Sequence, residues 1–557
     1  MNTSNGEQDE NEYRATTAQP QARPAMLIVG DLSGIQEFVF ALPEEEGGQA
    51  RMLRARSFFV QALSEVLAWR VQRALQLPRE TLLFCAAGKF AILAEEAPAD
   101  TAERLRRERV AVEEWLLRET AGTLRYALAL EPDRHDGEGT AERYDRAMTA
   151  LQVEKHRPWA AVAAGERWTP QRLVLAPMPE KAAAERFRQL GAALPAARWL
   201  VVAERDEPSA GAAFTFDLAD HRAALYTESP PPARGAPLVA DLQGGDPGMH
   251  IPAGDQVRRP LARYVPRKPD GGLLLFEDMA RYTRGAHYLG VLKMDADSLG
   301  VAVRERLRAA GDLRALARFS GELDDIFALE LDALLRNSPW QEIYTVFSGG
   351  DDLLLVGPWN VMLDFAGEAR RRFAERFGGE GLTISGGLAV VRYRLPIRQT
   401  AAVAEALLER AKTETAPGAQ APKDQLAALG QLWKWEHHAA VVAAGKRLVE
   451  WVTERKMERG WLQTMLDFAR LHRGEAAEPR SGDRALAPSR LAYHVERNYP
   501  RRNDRDPTRR AVREWAERML AGFDAADGSR DPEVLYLPAI LRYALLATRS
   551  TTREETP

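Results

Sequence analysis

The sequence predicts an α+β protein in which one sheet-and-helix unit occurs twice. Three observations carry this. The order strand, helix, hairpin, helix, strand, helix can be read over residues 26–154 and again over 276–421. The aspartate ending the first strand precedes the hairpin glycine by 57 residues in the first stretch (Asp31 to Gly88) and by 55 in the second (Asp295 to Gly350), a distance that unrelated insertions rarely preserve. A chain of 557 residues also exceeds the size at which one core keeps growing, so several domains are required.

In the first unit, Met26 to Asp31 is a short apolar run of strand type, and the helical pattern including Arg51 to Leu77 stops at Pro78. Thr81 to Cys85 and Phe90 to Ala94 flank the turn Ala86-Ala87-Gly88-Lys89. A helix near Thr101 to Glu119, a strand near Thr123 to Leu130 and a helix near Thr140 to Val153 complete it. In the second unit, Tyr288 to Met294 leads into Asp295, and a helix follows over Leu313 to Leu335. The strands Ile343 to Phe347 and Leu353 to Val356 then enclose Ser348-Gly349-Gly350-Asp351-Asp352. A helix at Val361 to Phe377, a strand at Leu382 to Val391 and a helix at Arg398 to Lys412 close the unit. This is the order of the ferredoxin-like palm, expected as a four-stranded antiparallel sheet covered on one face by helices. Residues 155–275 read as a small connecting α/β domain whose clearest helix, Glu180 to Leu190, stops at Gly191. Residues 422–557 read as a helical domain with Trp433, Trp435, Leu448, Trp451, Trp461, Met465 and Phe468 facing its core. Residues 1–25 are polar, lack the order of a signal peptide and read as a disordered tail.

Composition narrows the function classes. No apolar run approaches a membrane span, so no membrane partner is expected. The single cysteine, Cys85, excludes a disulfide framework and a multi-cysteine zinc site within one chain, and suits a reducing cytoplasm. The 76 basic and 80 acidic residues exclude a uniformly basic nucleic-acid coat. Only ten of the basic residues are lysine, so the individual lysines carry more information than arginine clusters; Lys89, Lys293 and Lys412 all fall beside the sharpest motif.

That motif is the second hairpin. Two glycines permit a tight turn with backbone close to a phosphate, and two adjacent carboxylates are hard oxygen ligands for Mg²⁺ or Mn²⁺. In the expected sheet Asp295 lies on the neighbouring strand, where it meets Asp351 or Asp352 around a common metal pair, an arrangement suited to nucleotidyl transfer. A plain turn also favours Gly and Asp, but the placement of Asp295 argues against that reading. Asp297 reads equally as a ligand or as a loop acid, and Lys412 as a triphosphate contact or as a lysine complementing a helix C-terminus. Lys293 reads as a core-edge residue with a snorkelling amine, and the adjacent His437 and His438 point apart. The first hairpin lacks carboxylates; its unit retains Asp31, Ser33 and Gly34 at a helix start, suited to phosphate binding or to capping.

Through Gly30-Asp31-Leu32-Ser33-Gly34-Ile35-Gln36-Glu37-Phe38, Leu53 to Phe59, Leu292 to Asp297, Ser348 to Asp352, Ser385-Gly386-Gly387, Ala404-Glu405 and Ala411-Lys412, the sequence resembles the large polymerase/cyclase subunit of type III CRISPR effector complexes, in the Csm-like branch. The resemblance implies a subunit of an RNA-guided antiviral complex. On binding target RNA it would convert ATP into cyclic oligoadenylate messengers, with guide RNA, target RNA and other subunits as partners. It further implies Asp295, Asp351 and Asp352 as metal ligands and catalytic residues, with Ser348, Gly349, Gly350 and Lys412 contacting ATP. Asp31, Ser33 and Gly34 would face a second nucleotide. The HD nuclease common at the start of such subunits is not expected, since about 25 residues precede the first unit and His135-Asp136 lies in a later loop. A non-catalytic scaffold and a cyclase making a different nucleotide product remain the competing readings.

Overall fold

A computed structural model of the chain describes residues 25–42, 48–134, 137–164, 180–231, 237–244, 255–473, 483–500, 506–524 and 531–549. The N-terminal segment 1–24, read above as a disordered tail, and His135-Asp136 lie outside the described residues.

β1 (Met26–Ser33) is buried at six of its eight positions, the pattern of a strand covered on both faces. It lies inside a sheet of order β2-β3-β1-β4, built with β2 (Leu82–Ala86), β3 (Lys89–Ala94) and β4 (Arg125–Pro132), all neighbours antiparallel. The helices are α1 (Ile35–Phe40), α2 (Gln49–Leu75), α3 (Thr101–Thr120), α4 (Thr140–Lys155) and the short α5 (Ala160–Ala163). Ile28 and Leu32 share a core with Phe58 of α2 and Leu116 of α3, whereas Leu27 and Val29 pack with Ala147 and Leu151 of α4. The expectation of one covered face is therefore corrected: helices cover both, because Leu27 and Val29 project to one side of β1 and Ile28 and Leu32 to the other, so each face is apolar.

The connecting region carries α6 (Glu180–Ala193) and a five-stranded sheet, β6-β7-β5-β8-β9, from β5 (Trp199–Glu204), β6 (Phe214–Leu218), β7 (His221–Tyr226), β8 (Leu238–Asp241) and β9 (Asp255–Arg258). Gly191 does not stop α6, which runs through it. A Cβ there would stand 2.1 Å from the Arg51 carbonyl oxygen, so this glycine lets α6 lie directly on α2. Arg54 of α2 fastens the contact, donating to the Gly191 carbonyl and, at 2.6 Å, to the Tyr344 hydroxyl of the second repeat.

After α7 (Phe276–Arg281), the second repeat places β10 (Tyr288–Ala296), β11 (Tyr344–Gly349), β12 (Asp352–Pro358) and β13 (Ile384–Arg392) in the order β11-β12-β10-β13, the same topology as the first. Its helices are α8 (Leu299–Ala310), α9 (Ala315–Asp324), α10 (Leu331–Leu335), α11 (Trp359–Phe377) and α12 (Ile397–Thr413); a π-helical stretch, Asp325–Glu330, joins α9 to α10. α12 covers the face that α4 covers in the first repeat.

The segment expected to open a purely helical domain instead extends this sheet. β14 (Gln425–Ala428) pairs in parallel with β13, and β15 (Gln431–Lys434), which contains buried Trp433, follows antiparallel. Beyond it lie α13 (Trp435–Thr453), α14 (Arg459–Arg473), α15 (Asp483–Asn498), α16 (Pro507–Asp524), α17 (Pro532–Leu535) and α18 (Leu537–Ala547). Trp515 of α16 meets Trp451 and Trp461 edge-to-face at 6.0 and 6.3 Å, a favoured aromatic geometry. His438 accepts from the Trp433 indole at 3.1 Å and its other ring nitrogen bonds the Leu363 carbonyl, while His437 meets Tyr536, so the adjacent histidines serve packing. Among the described residues no helix is long and apolar enough to cross a membrane.

Candidate active site

The carboxylates gather at one end of the second sheet because of register. Asp295 near the end of β10 pairs with Asp352, the first residue of β12, and on its other side with Ser385 of β13. Directly opposed residues project to the same face, so Asp295 and Asp352 both point to the α12 side. Lys293, two residues upstream, points there too. Its ammonium contacts Glu405 of α12 and stands 4.0 Å from Asp352 Oδ2, with only 4% of the residue exposed. It is a buried counter-charge beneath the site, and a snorkelling amine at the core edge is not what the structure has. Lys412, in the last turn of α12, contacts Asp295 Oδ1 and lies 3.5 Å from the Ala296 carbonyl oxygen.

Gly349 pairs with Asp352, leaving Gly350 and Asp351 as a two-residue turn. Gly350 has φ +67°, a conformation glycine adopts without penalty. The Asp351 carbonyl accepts from the Ala296 N–H at 3.0 Å, tying the turn to β10. Helix and turn also meet: the Ser348 hydroxyl donates at 2.6 Å to the Phe327 carbonyl in the π-helical stretch, and the Gly350 N–H faces the carboxylate of Asp324 at the end of α9. The Ser348 hydroxyl is thus engaged within the fold.

Charge is crowded here. Burial and the neighbouring charge of Asp351 push the Asp352 carboxyl up to about 7, and burial raises Asp351 as well. Although Lys412 touches Asp295, burial together with Lys423 and Lys293 draws its ammonium down to about 8. Among the described residues no three His, Cys, Asp or Glu side chains already converge at metal-binding distance. The donor set nonetheless fits a hard divalent cation, since three carboxylates come from two adjacent strands and their turn, and a cation relieves the crowding that raises Asp351 and Asp352.

Asp297 is not at the carboxylate cluster. It is 3% exposed, and its Oδ2 accepts from Thr383 Oγ1 at 2.8 Å, Ser385 Oγ at 3.0 Å and the Asp424 N–H at 3.1 Å, clasping the loop after β10 to the start of β14.

The first repeat mirrors part of this arrangement. Asp31, 2% exposed, pairs with Lys155 in the last turn of α4 at 2.8 Å and accepts from Ser33 Oγ at 3.2 Å. Gly34 has φ +84°, and a Cβ there would stand 1.9 Å from the Thr123 carbonyl oxygen, so packing alone requires glycine. Register aligns the two hairpins, placing Ala86 and Ala87 where the second has Gly349 and Gly350. Asp31 pairs with Lys89 as Asp295 pairs with Asp352, so the position of Asp351 corresponds to Gly88 and that of Gly350 to Ala87. The two turns face each other: a Cβ on Gly350 would lie 3.6 Å from Ala86 Cβ and 3.7 Å from Ala87 Cβ. Between the repeats a cleft of about 260 Å³ is lined by Arg54, Ala87 and Gly88 from one side and by Asp324, Gly349 and Asp352 from the other. Asp31, Ser33 and Gly34 are not among its lining residues, which include the next two, Ile35 and Gln36.

Asp324 is the site residue that motif reading missed. It lies in a helix with no unusual neighbours, and only the folded contact with Gly350 distinguishes it. Burial pushes its carboxyl up to about 6. An aspartate whose folded pKa lies above its ordinary 3.8 is most favourable when protonated, so its contribution falls as pH rises from about 4 to about 6. Asp324→Asn, which keeps an acceptor for Gly350, is expected to raise stability by about 1–3 kcal/mol above pH 6 and by nothing below pH 4. Thermal melts of both proteins across that range read the difference; a variant less stable at pH 7.5 would overturn it.

The family model described as the second palm domain of Cas10/Cmr2 matches residues 288–426, and that for domain B of the Csm1 subunit matches residues 24–164. A Cas10/Csm1 protein of Thermococcus onnurineus, described as a CRISPR system single-strand-specific deoxyribonuclease of subtype III-A, is 28% identical over 80% of this chain and 62% of its own length. Its Mycobacterium tuberculosis counterpart is 25% identical over 67% of this chain and 51% of its own. The chain therefore spans less than two thirds of the length of these relatives. Among solved structures, a Csm1–Csm4 cassette in complex with pppApA aligns with a TM-score of 0.72 at 21% identity, covering 95% of this chain and 70% of the other. A cassette in complex with cA4 aligns with a TM-score of 0.71 at 21% identity, covering 94% and 70%.

Proposed function

We propose that this chain, which belongs to the Cas10/Csm1 family, is the nucleotidyltransferase subunit of a type III RNA-guided antiviral complex and converts ATP into cyclic oligoadenylates. The observation that carries the reading is the pairing of Asp295 with Asp352 beside the Asp351 turn, flanked by Lys293 and Lys412. Similarity to Csm1–Csm4 cassettes in complex with ATP, pppApA and cA4 supports ATP as substrate.

Asp295, Asp351 and Asp352 are the residues that would hold Mg²⁺ or Mn²⁺, which when bound supplies electrophilic stabilisation of a triphosphate and a lowered pKa for an attacking ribose hydroxyl. The chain's own groups do the rest. The open side of Gly349, where a Cβ would meet nothing within 4 Å, admits the nucleotide close to backbone. Lys412 neutralises Asp295 in the free chain and is placed to pair with the triphosphate. Ser348, held by Phe327, fixes the start of the turn. In the first repeat Asp31, Ser33 and Gly34 support the helix start behind Ile35 and Gln36, which line the acceptor side of the cleft. Guide RNA, target RNA and further subunits of a cytoplasmic complex complete the assembly.

The test is the assembled complex with cognate target RNA, ATP and Mg²⁺ or Mn²⁺. Pyrophosphate release and cyclic adenylates identified by mass spectrometry are expected. Assembly and target binding with no nucleotide product would replace this reading by a scaffold.

A further inference from the structure

The first repeat presents a cation where the second presents a carboxylate. Lys89 occupies the register position of Asp352, each being the first residue of the strand after its turn. Lys89 pairs directly with Ala86, and opposed residues share a face with Cβ atoms about 5 Å apart. Ala86 is the residue whose Cβ would touch a side chain at Gly350. Lys89 therefore projects beside the contact between the two turns, toward the Asp351 side. It is exposed, and among the described residues no ion pair at contact distance engages it. Its charge acts on Asp351 more strongly than that of Lys293 does.

We propose that Lys89 is a phosphate-binding residue that the first repeat contributes to the site of the second, its ammonium contacting the triphosphate of the nucleotide held at Asp295, Asp351 and Asp352. The inference rests on the nucleotidyltransferase reading and names what the repeat without carboxylates adds to it. Charge favours it: the acids at the site, Asp295, Asp351, Asp352 and the Glu405 that contacts Lys293, outnumber Lys293 and Lys412, so a triphosphate entering there gains from a further cation. Residue choice agrees: lysine is only ten of 76 basic residues, yet three of those ten stand here. A compact ammonium on a flexible stem follows a phosphate through substrate entry and product release better than a rigid guanidinium fork.

The experiment uses the assembled complex and compares wild type with Lys89→Ala, Lys89→Glu and Lys89→Arg. Binding of the ATP analogue AMPPNP with Mg²⁺ is measured by calorimetry, KM and kcat for ATP by pyrophosphate release, and stability by thermal melting. Lys89→Ala is expected to weaken AMPPNP and raise KM for ATP roughly tenfold, Lys89→Glu further, with Lys89→Arg recovering most of the loss and melting unchanged. Unchanged binding in Lys89→Ala would overturn the proposal. So would a loss that tracks a fall in melting temperature and is not recovered by Lys89→Arg. Because AMPPNP binding does not require turnover, a wild-type complex that binds the analogue yet makes no product refutes the enzymatic reading while the binding series still decides Lys89. A wild-type complex that does not bind AMPPNP refutes both.

Discussion

Replacing Asp351 and Asp352 together by alanine is expected to abolish product formation from ATP, by at least about 10³-fold, equivalent to about 4 kcal/mol of transition-state stabilisation. The same replacement should leave the fold intact or firmer. Both carboxyls are raised by burial, and Asp352 also by the charge of Asp351, so each is held in a setting that disfavours its ionised form. Removing that repulsion costs the protein nothing in packing, because the side chains stand at a turn and at the first position of an edge-facing hairpin. Activity and stability therefore move in opposite directions, the signature of groups placed for chemistry. Melting and complex assembly measured beside the ATP assay separate the cases. Activity retained by the double variant would sink the site assignment, and a large fall in melting temperature would assign the pair to the fold.

The second large effect lies away from the carboxylates. Gly387 on β13 pairs with Lys293 and lies under α12, where a Cβ would stand 2.3 Å from the Leu408 nitrogen, 2.4 Å from the Ala404 carbonyl oxygen and 2.9 Å from the Leu407 carbonyl carbon. All three are backbone atoms, so no rotamer change relieves the clash; the helix itself must lift. Gly387→Val is expected to cost on the order of 3 kcal/mol or more. It also carries Glu405 off Lys293 and Lys412 off Asp295, since both partners ride on α12. ATP-dependent activity should fall with it even when the protein is assayed well below its melting temperature. The neighbouring Gly386 provides the control. Its Cβ would meet the Leu426 side chain at 2.9 Å, a flexible group that can yield, so Gly386→Ala should cost far less. Equal effects at the two positions would contradict the backbone argument.

Local signals made much of this legible. The apolar runs that become β1 and β10 end in aspartates, and the Gly-Gly-Asp-Asp segment announces a hairpin, so the approach of Asp295 to Asp352 follows from knowing the strand order. What stayed hidden is non-local. Counting from glycine to glycine set Gly88 beside Gly350, whereas register aligns Gly88 with Asp351, because the glycine is the second residue of one turn and the first of the other. β14 is four residues long and pairs in parallel with a strand 40 positions upstream (Gly386 with Leu426), so no turn signal marks it. Asp324 acquires its role only because α9 ends beside Gly350, and Asp297 because Thr383, Ser385 and Asp424 converge on it.

The ion pair between Asp31 and Lys155 dates the division of labour between the repeats. The first copy has no acid in its turn, yet it keeps the strand-end aspartate, the helix-end lysine and their contact, the same contact that Lys412 makes with Asp295. A feature present in both halves of a duplicated chain, one of them without the acidic turn, is inheritance from the undivided unit and is held by folding. The acidic turn, found in one half only, is where the lineages parted. The two turns stand against each other across the cleft, one acidic and one not, so the half without carboxylates survives as a wall of the space the other half opens onto.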